Sequence, residues 1–196
     1  MKNYFLAQLF EISEIIDIMK NDSVLVNEMV AVASECVKSL RNSGKIILAG
    51  NGGSAADAQH IAGELVSRFA FDRPGLPAIA LTTDTSIITA IANDYGYERL
   101  FERQIQALGN PGDIFIAYST SGSSKNIIFA LIEAKRIGLV TVGLTGNNNG
   151  IMNEHCDYLF AVPSKLTPKI QEGHLIIGHS LCGIIENEIF KDIRNA

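Results

Sequence analysis

Apolar residues recur at helical spacing over residues 3–20, at Phe5, Leu9, Ile12, Ile16 and Met19. They do so again over 22–42, at Val26, Val30, Ala33, Val37 and Leu40. Both stretches predict amphipathic helices, with Gly44 as the stop of the second. The pattern then changes to short unbroken apolar runs: KIILAG (45–50), PAIALT (77–82), DIFIAYS (113–119), LVTVGLT (139–145) and YLFAVP (158–163). Runs of that length suit strands buried on both faces of a parallel sheet. Helical periodicity returns between them, over 54–69, 84–93, 97–108 and 124–137, and a last helix starts near Thr167 and runs almost to the end. Strands alternating with helices predict an α/β fold around a central parallel five-stranded sheet, preceded by two helices. No composition shift, linker or repeat divides the 196 residues. One domain is expected, with a helical pair at 1–43 and an α/β core at 44–196.

Composition narrows the function classes. The chain is 47% hydrophobic and 19% charged, which is that of a globular protein rather than a disordered one. Net charge is −5 and no Lys/Arg cluster occurs, so the concentrated positive charge of a nucleic-acid footprint is missing. Cys36, Cys156 and Cys182 lack metal-ligand spacing and cannot all pair, which points to inert thiols in a reducing cytoplasm. The N-terminal MKNYFLAQLFEISEIID carries acids among its apolar residues and resembles neither a signal peptide nor a membrane span.

In α/β sheets ligands bind beyond the carboxyl ends of the strands. After the first strand stands Asn51-Gly52-Gly53-Ser54. Its glycines allow close approach to the backbone, and Ser54 is placed to cap a helix start that favours an anion; a tight turn without ligand would have the same composition. It is not the dinucleotide pattern, because Ala55 occupies the third glycine position. After the third strand, Ser119-Thr120-Ser121-Gly122-Ser123-Ser124 sets five hydroxyls around one glycine at a helix start, a cradle for phosphate oxygens. A solvated serine-rich loop is the plain alternative, and no Walker lysine is present. Asn93-Asp94 closes the 84–93 pattern and fits either an ordinary helix end or a contact to sugar hydroxyls.

His60 and Glu64 share one helical face, among Ala58, Ile61, Ala62 and Leu65, so a buried pair is expected. The last helix offers Gln171 and His179, little more than two turns apart. Two imidazoles, a carboxylate and an amide would make a weak Zn²⁺ environment. His155 and His174 read as structural.

The segments GNGGSAADAQHIAGEL, IANDYGYERLF, STSGSSKNI and KIQEGHLIIGHSL together resemble the phosphoheptose isomerase family, the sedoheptulose 7-phosphate isomerases among the sugar isomerase (SIS) domain proteins. The resemblance covers nearly the whole chain. The glycine-serine turn and the hydroxyl loop specify only SIS domains; Asn93-Asp94 with His60, Glu64, Gln171 and His179 narrows it to the heptose enzymes. It implies a three-layer, flavodoxin-like (Rossmann-like) sandwich in a homotetramer, the leading helices used in packing and the active sites at subunit contacts, so that His179 would face Glu64 of a neighbouring chain. It implies cytoplasmic conversion of D-sedoheptulose 7-phosphate to D-glycero-D-manno-heptose 7-phosphate, the first step towards heptose for lipopolysaccharide or other surface glycans. By matching position, Ser119, Thr120, Ser121 and Ser124 would hold the phosphate. Asn51, Gly52, Gly53, Asn93, Asp94 and Gln171 would line the sugar, with Ser54 beside them. One zinc per subunit, loosely held, would sit on His60, Glu64, Gln171 and His179. The family's Thr-Ala-Arg before IQE is replaced by Thr167-Pro168-Lys169, which suits a helix start but removes a planar guanidinium.

Ketose–aldose exchange moves a proton between adjacent carbons through an enediol, which asks for a base at carbon and an acid at oxygen. Glu64 and His179 are assigned those roles. The rivals are a non-catalytic SIS protein that binds a replication-initiation partner and an isomerase of another sugar phosphate. A sugar-sensing transcription regulator would need a DNA-binding domain for which the chain has no room.

Overall fold

The computed structural model describes residues 1–147 and 150–194. Strands β1 (Ile46–Ala49), β2 (Ala78–Ala80), β3 (Ile114–Tyr118), β4 (Val140–Gly146) and β5 (Tyr158–Val162) form one sheet in the order β2-β1-β3-β4-β5. Every pairing is parallel. Alternate residues of the buried strands enter opposite cores. Ile46, Leu48, Ile114, Ile116 and Tyr118 face one layer, and Ile47, Ala49, Phe115 and Ala117 the other. The first layer holds α1 (Lys2–Asn21), α2 (Ser23–Arg41), α3 (Gly53–Val66) and α7 (Thr167–Arg194); the second holds α4 (Thr85–Tyr95), α5 (Leu100–Leu108) and α6 (Lys125–Arg136). This is the expected three-layer sandwich. Strand order reverses between β1 and β3, so a crevice opens there, flanked by the β1–α3 turn and the β3–α6 loop.

Local chemistry explains the helix ends. The Asp22 carboxylate accepts from the Val24 and Leu25 amides and caps α2; Asp84 caps α4 by accepting from Ile87. The stop after α2 differs from expectation. Ser43, not Gly44, takes the left-handed conformation, at φ 62°. The Gly44 amide donates to the Ser39 carbonyl and the Ser43 amide to Leu40, the paired bonds of a Schellman end. Gly44 is fixed by space instead, because Ser39 occupies the place of a Cβ.

The leading helices are only partly used by this chain. Of the α1 stripe, Met19 is buried, whereas Phe5, Leu9 and Ile16 are exposed, as are Val26 and Val30 on α2. An apolar stripe exists as predicted, and its outer half is left exposed by the described residues.

Candidate active site

The β1–α3 turn depends on Gly52, whose φ of 57° and ψ of −120° exclude a side chain although nothing stands within 4 Å of the Cβ position. Gly52 is the N-cap of α3, so Ser54 is not. Ser54 lies inside the first turn, 3% exposed, with its amide on the Asn51 carbonyl at 3.1 Å. The Asn51 amide is held by neighbours. Its Oδ1 accepts from Asn126 at 2.8 Å and from the Tyr97 hydroxyl at 2.9 Å, while its Nδ2 donates to Asn126 Oδ1 at 3.0 Å. These bonds tie the turn to the start of α6 and to the segment after α4. Two residues before that segment, Asn93 donates to Asp94 at 2.7 Å on an exposed helix end.

The hydroxyl loop is a network of its own. The Ser119 amide donates to Leu144 on the neighbouring strand, which seats the loop on the sheet. Ser119 Oγ donates to Ser124 Oγ at 3.0 Å and lies 3.4 Å from Ser121 Oγ. Gly122, at φ 64°, returns its amide to the Ser119 carbonyl and closes the turn. Ser124 is therefore engaged with Ser119 and makes no side-chain cap to α6, which leaves that helix start open to an outside acceptor. A polar cavity of about 150 Å³ adjoins the loop, lined by Thr120, Ser121, Gly146, Ser164, Lys165 and Thr167. Ser164 and Lys165 were not singled out in the sequence, and Thr167 only as the start of the last helix; the β5–α7 connection and the first residue of α7 are brought to the loop only by the fold.

The third piece joins α3 to α7 within one chain. His60 Nε2 lies 2.8 Å from His179 Nε2 and 3.4 Å from Glu64 Oε1. Ligand atoms of His60, Glu64 and His179 all lie within 4.8 Å of one another. His179 thus meets Glu64 of its own chain, where the resemblance implied a neighbouring one. Nor is the pair buried: the His60 and Glu64 side chains are 47% and 24% exposed, because the apolar neighbours face the sheet while this pair lines the helix's outer edge. Gln171, the fourth residue expected at the metal, stands on the same helix as His179. Its side-chain amide packs on Gly53, two turns before His179 on α7.

Several groups around the trio were missed. Asp57, one turn before His60, has Oδ2 buried without a partner among the described residues, and burial raises its pKa against the opposing pull of His60. Phe69 packs its ring on His179 at 5.6 Å. Arg73 and Glu186 form an ion pair at 2.9 Å with both side chains fully buried. His174 is fully buried as a core residue, bonded to the Thr145 carbonyl, and burial lowers its pKa to about 4. Lys169 is 3% exposed and donates to Glu172 and to the Gln8 carbonyl of α1, so its charge serves packing rather than the site. All three cysteines are free, and burial pushes Cys156 and Cys182 up to about 12.

A doubly wound sheet with a hydroxyl loop at its switch point and no dinucleotide fingerprint defines a sugar isomerase fold, and the chain belongs to that family: residues 12–146 match the SIS domain. Within it the chain belongs to the phosphoheptose isomerases. It is 60% identical over 187 residues to the phosphoheptose isomerase of Burkholderia pseudomallei (strain 1710b), covering 95% of each chain. It is 54% identical over 192 residues to that of Aneurinibacillus thermoaerophilus, covering 98% of this chain and 97% of the relative. The solved phosphoheptose isomerase of Neisseria gonorrhoeae superposes with a TM-score of 0.88 at 38% identity, over 95% of this chain and 98% of that one.

Proposed function

We propose that this protein interconverts D-sedoheptulose 7-phosphate and D-glycero-D-manno-heptose 7-phosphate, supplying heptose for a surface glycan. The observation that carries the reading is the convergence of Glu64 with two imidazoles on the α3–α7 edge, in a chain that keeps the phosphate-type loop at its switch point. Neither rival is favoured, since a partner-binding relative has no need of that trio.

The substrate phosphate lies against Ser119, Thr120, Ser121 and Ser124 at the open start of α6, while Asn51, Gly52, Gly53, Ser54, Asn93 and Asp94 line the sugar. The Glu64 carboxylate removes a proton from C1 of the ketose and returns it to C2. His179 moves the hydroxyl proton between the two oxygens, so the enediol forms and collapses with no net change in protons.

The trio also fits a divalent cation: two nitrogens and one oxygen, close together and open on one side, are the donor set of a three-ligand zinc site. His60, Glu64 and His179 would hold it, and bound Zn²⁺ would supply Lewis-acid polarisation of the carbonyl. The packing of Gln171 on Gly53 favours its sugar-lining role over the fourth ligand position.

A homotetramer is the assembly proposed, with the helices of 1–43 packing between chains around the cores of 44–196; the bare apolar stripe of α1 and α2 supports it. The cytoplasm is the proposed compartment, supported by the free cysteines. Among the described residues no helix is long and apolar enough to cross a membrane.

The test is incubation with sedoheptulose 7-phosphate, with and without a chelator, following the aldose product. Product that diminishes on chelation is expected. A chain that forms none in the presence of added Zn²⁺ is not this isomerase.

A further inference from the structure

Helix α3 ends at Val66, half a turn after Glu64, so the carbonyls of its last turn have no helical partners. Arg73 serves two of them, those of Glu64 and Leu65. Its guanidinium donates to the carbonyls of Glu64 at 2.9 Å, Leu65 at 2.7 Å, Ser67 at 3.2 Å and Pro74 at 3.1 Å. Its Nε–H donates to Glu186 Oε1 at 2.9 Å. Glu186 lies seven residues after His179 on α7, two turns along the same face. Its carboxylate also accepts from the backbone amides of Phe69 at 2.9 Å and Ala70 at 2.8 Å. Burial alone would raise its pKa; the two amides and Arg73 outweigh that and hold it below the ordinary carboxylate range.

The loop so fixed presents Phe69 to His179. Gly183, one turn beyond His179, leaves the room: a Cβ there would stand 3.3 Å from the Phe69 ring. A buried ion pair is a poor device for stability, since apolar residues of similar volume often do as well. Here the pair bonds the backbone of Glu64 and Leu65 on one side and of Phe69 and Ala70 on the other, so it sets distance and angle.

We propose that Arg73 and Glu186 are a positioning pair for proton transfer: they hold the end of α3 that carries Glu64 and, through Phe69, the ring of His179. The inference rests on the assignment of Glu64 and His179 as the proton-moving groups. Misplacement of such groups by about 1 Å lowers turnover roughly a hundredfold without loosening substrate binding.

Phe69→Leu, Phe69→Tyr and Glu186→Gln are compared with the wild type well below each variant's Tm, using sedoheptulose 7-phosphate and its C1-deuterated form. Phe69→Leu is expected to lower kcat roughly tenfold and Glu186→Gln roughly a hundredfold, with KM within about twofold. The primary isotope effect should grow in both, because proton abstraction becomes the slow step. Phe69→Tyr keeps the ring and should restore wild-type kcat. If Glu186→Gln does not fold, Phe69→Leu decides alone. A folded Phe69→Leu with wild-type kcat and isotope effect overturns the positioning role while leaving the isomerase reading intact. An inactive wild type removes both.

Discussion

His60 and His179 present their Nε2 atoms to each other at 2.8 Å, across the seam between α3 and α7 of a single chain. Two imidazole nitrogens at that separation cannot both point a hydrogen inward, so either one accepts from the other or a cation replaces the shared proton. His60→Ala should lower Zn²⁺ affinity at least tenfold, on the scale of losing a ligand or its support. Equilibrium dialysis with metal analysis measures it. Unchanged affinity would place the ion elsewhere.

Glu64→Gln and His179→Ala should each reduce turnover by roughly two or more orders of magnitude, as expected when an acid–base group is removed. Both side chains reach solvent, so Tm should barely move. Steady-state kinetics beside thermal melts separate the two effects; near-wild-type kcat in both variants would withdraw the assignment.

The elements were legible because each buried strand is an unbroken apolar run and each helix keeps its period, as in IILA of β1 and the stripe of α2. The residues around the switch point were legible for the same reason: they follow strand ends. What stayed hidden needs three dimensions. Nothing local marks Arg73 or Glu186, 113 residues apart, as partners. Ser54 looked like a cap because serine usually is one, yet Gly52 takes that place through a backbone angle only glycine adopts. The exposure of His60 was misjudged because its apolar neighbours describe the opposite face of the same helix.

Gly53→Ala offers a change that separates binding from stability. The backbone there is not in the left-handed region, so alanine is compatible with the helix. Its methyl would strike the side-chain amide of Gln171, which can swing away at little cost to the fold. Tm should not fall, whereas KM for the sugar phosphate should rise roughly tenfold, about 1.4 kcal/mol. An unaltered KM would show that Gln171 has no part in holding the sugar.

His174 makes stability depend on acidity. It is buried, and its pKa falls from 6.5 unfolded to about 4 folded. The unfolded chain therefore takes up the proton first. The stability contributed by the neutral ring is fully present above pH 6.5 and is lost as pH falls towards 4. Between pH 7 and pH 5 this amounts to about 2 kcal/mol. Urea melts across that range should show the slope, and His174→Gln should flatten it. An equal slope in the variant would assign the effect to other groups.

Ser43 sits at φ 62° at the end of α2, where a side chain is strained. Ser43→Gly should raise stability by about 0.5–1 kcal/mol, the strain relieved less the extra freedom of the unfolded glycine. A lowered Tm would mean that the seryl side chain supports the turn.

Residues 67–75 follow a helix, contain no strand, and would ordinarily be the part of such a protein most free to drift in sequence. Their side chains are mostly exposed, yet Phe69, Ala70 and Arg73 anchor their backbone to one carboxylate on the far helix. Length changes in this connection, and loss of the Arg73 charge, should be tolerated as poorly as cuts into the sheet, so insertions among functioning copies have to accumulate elsewhere on the surface.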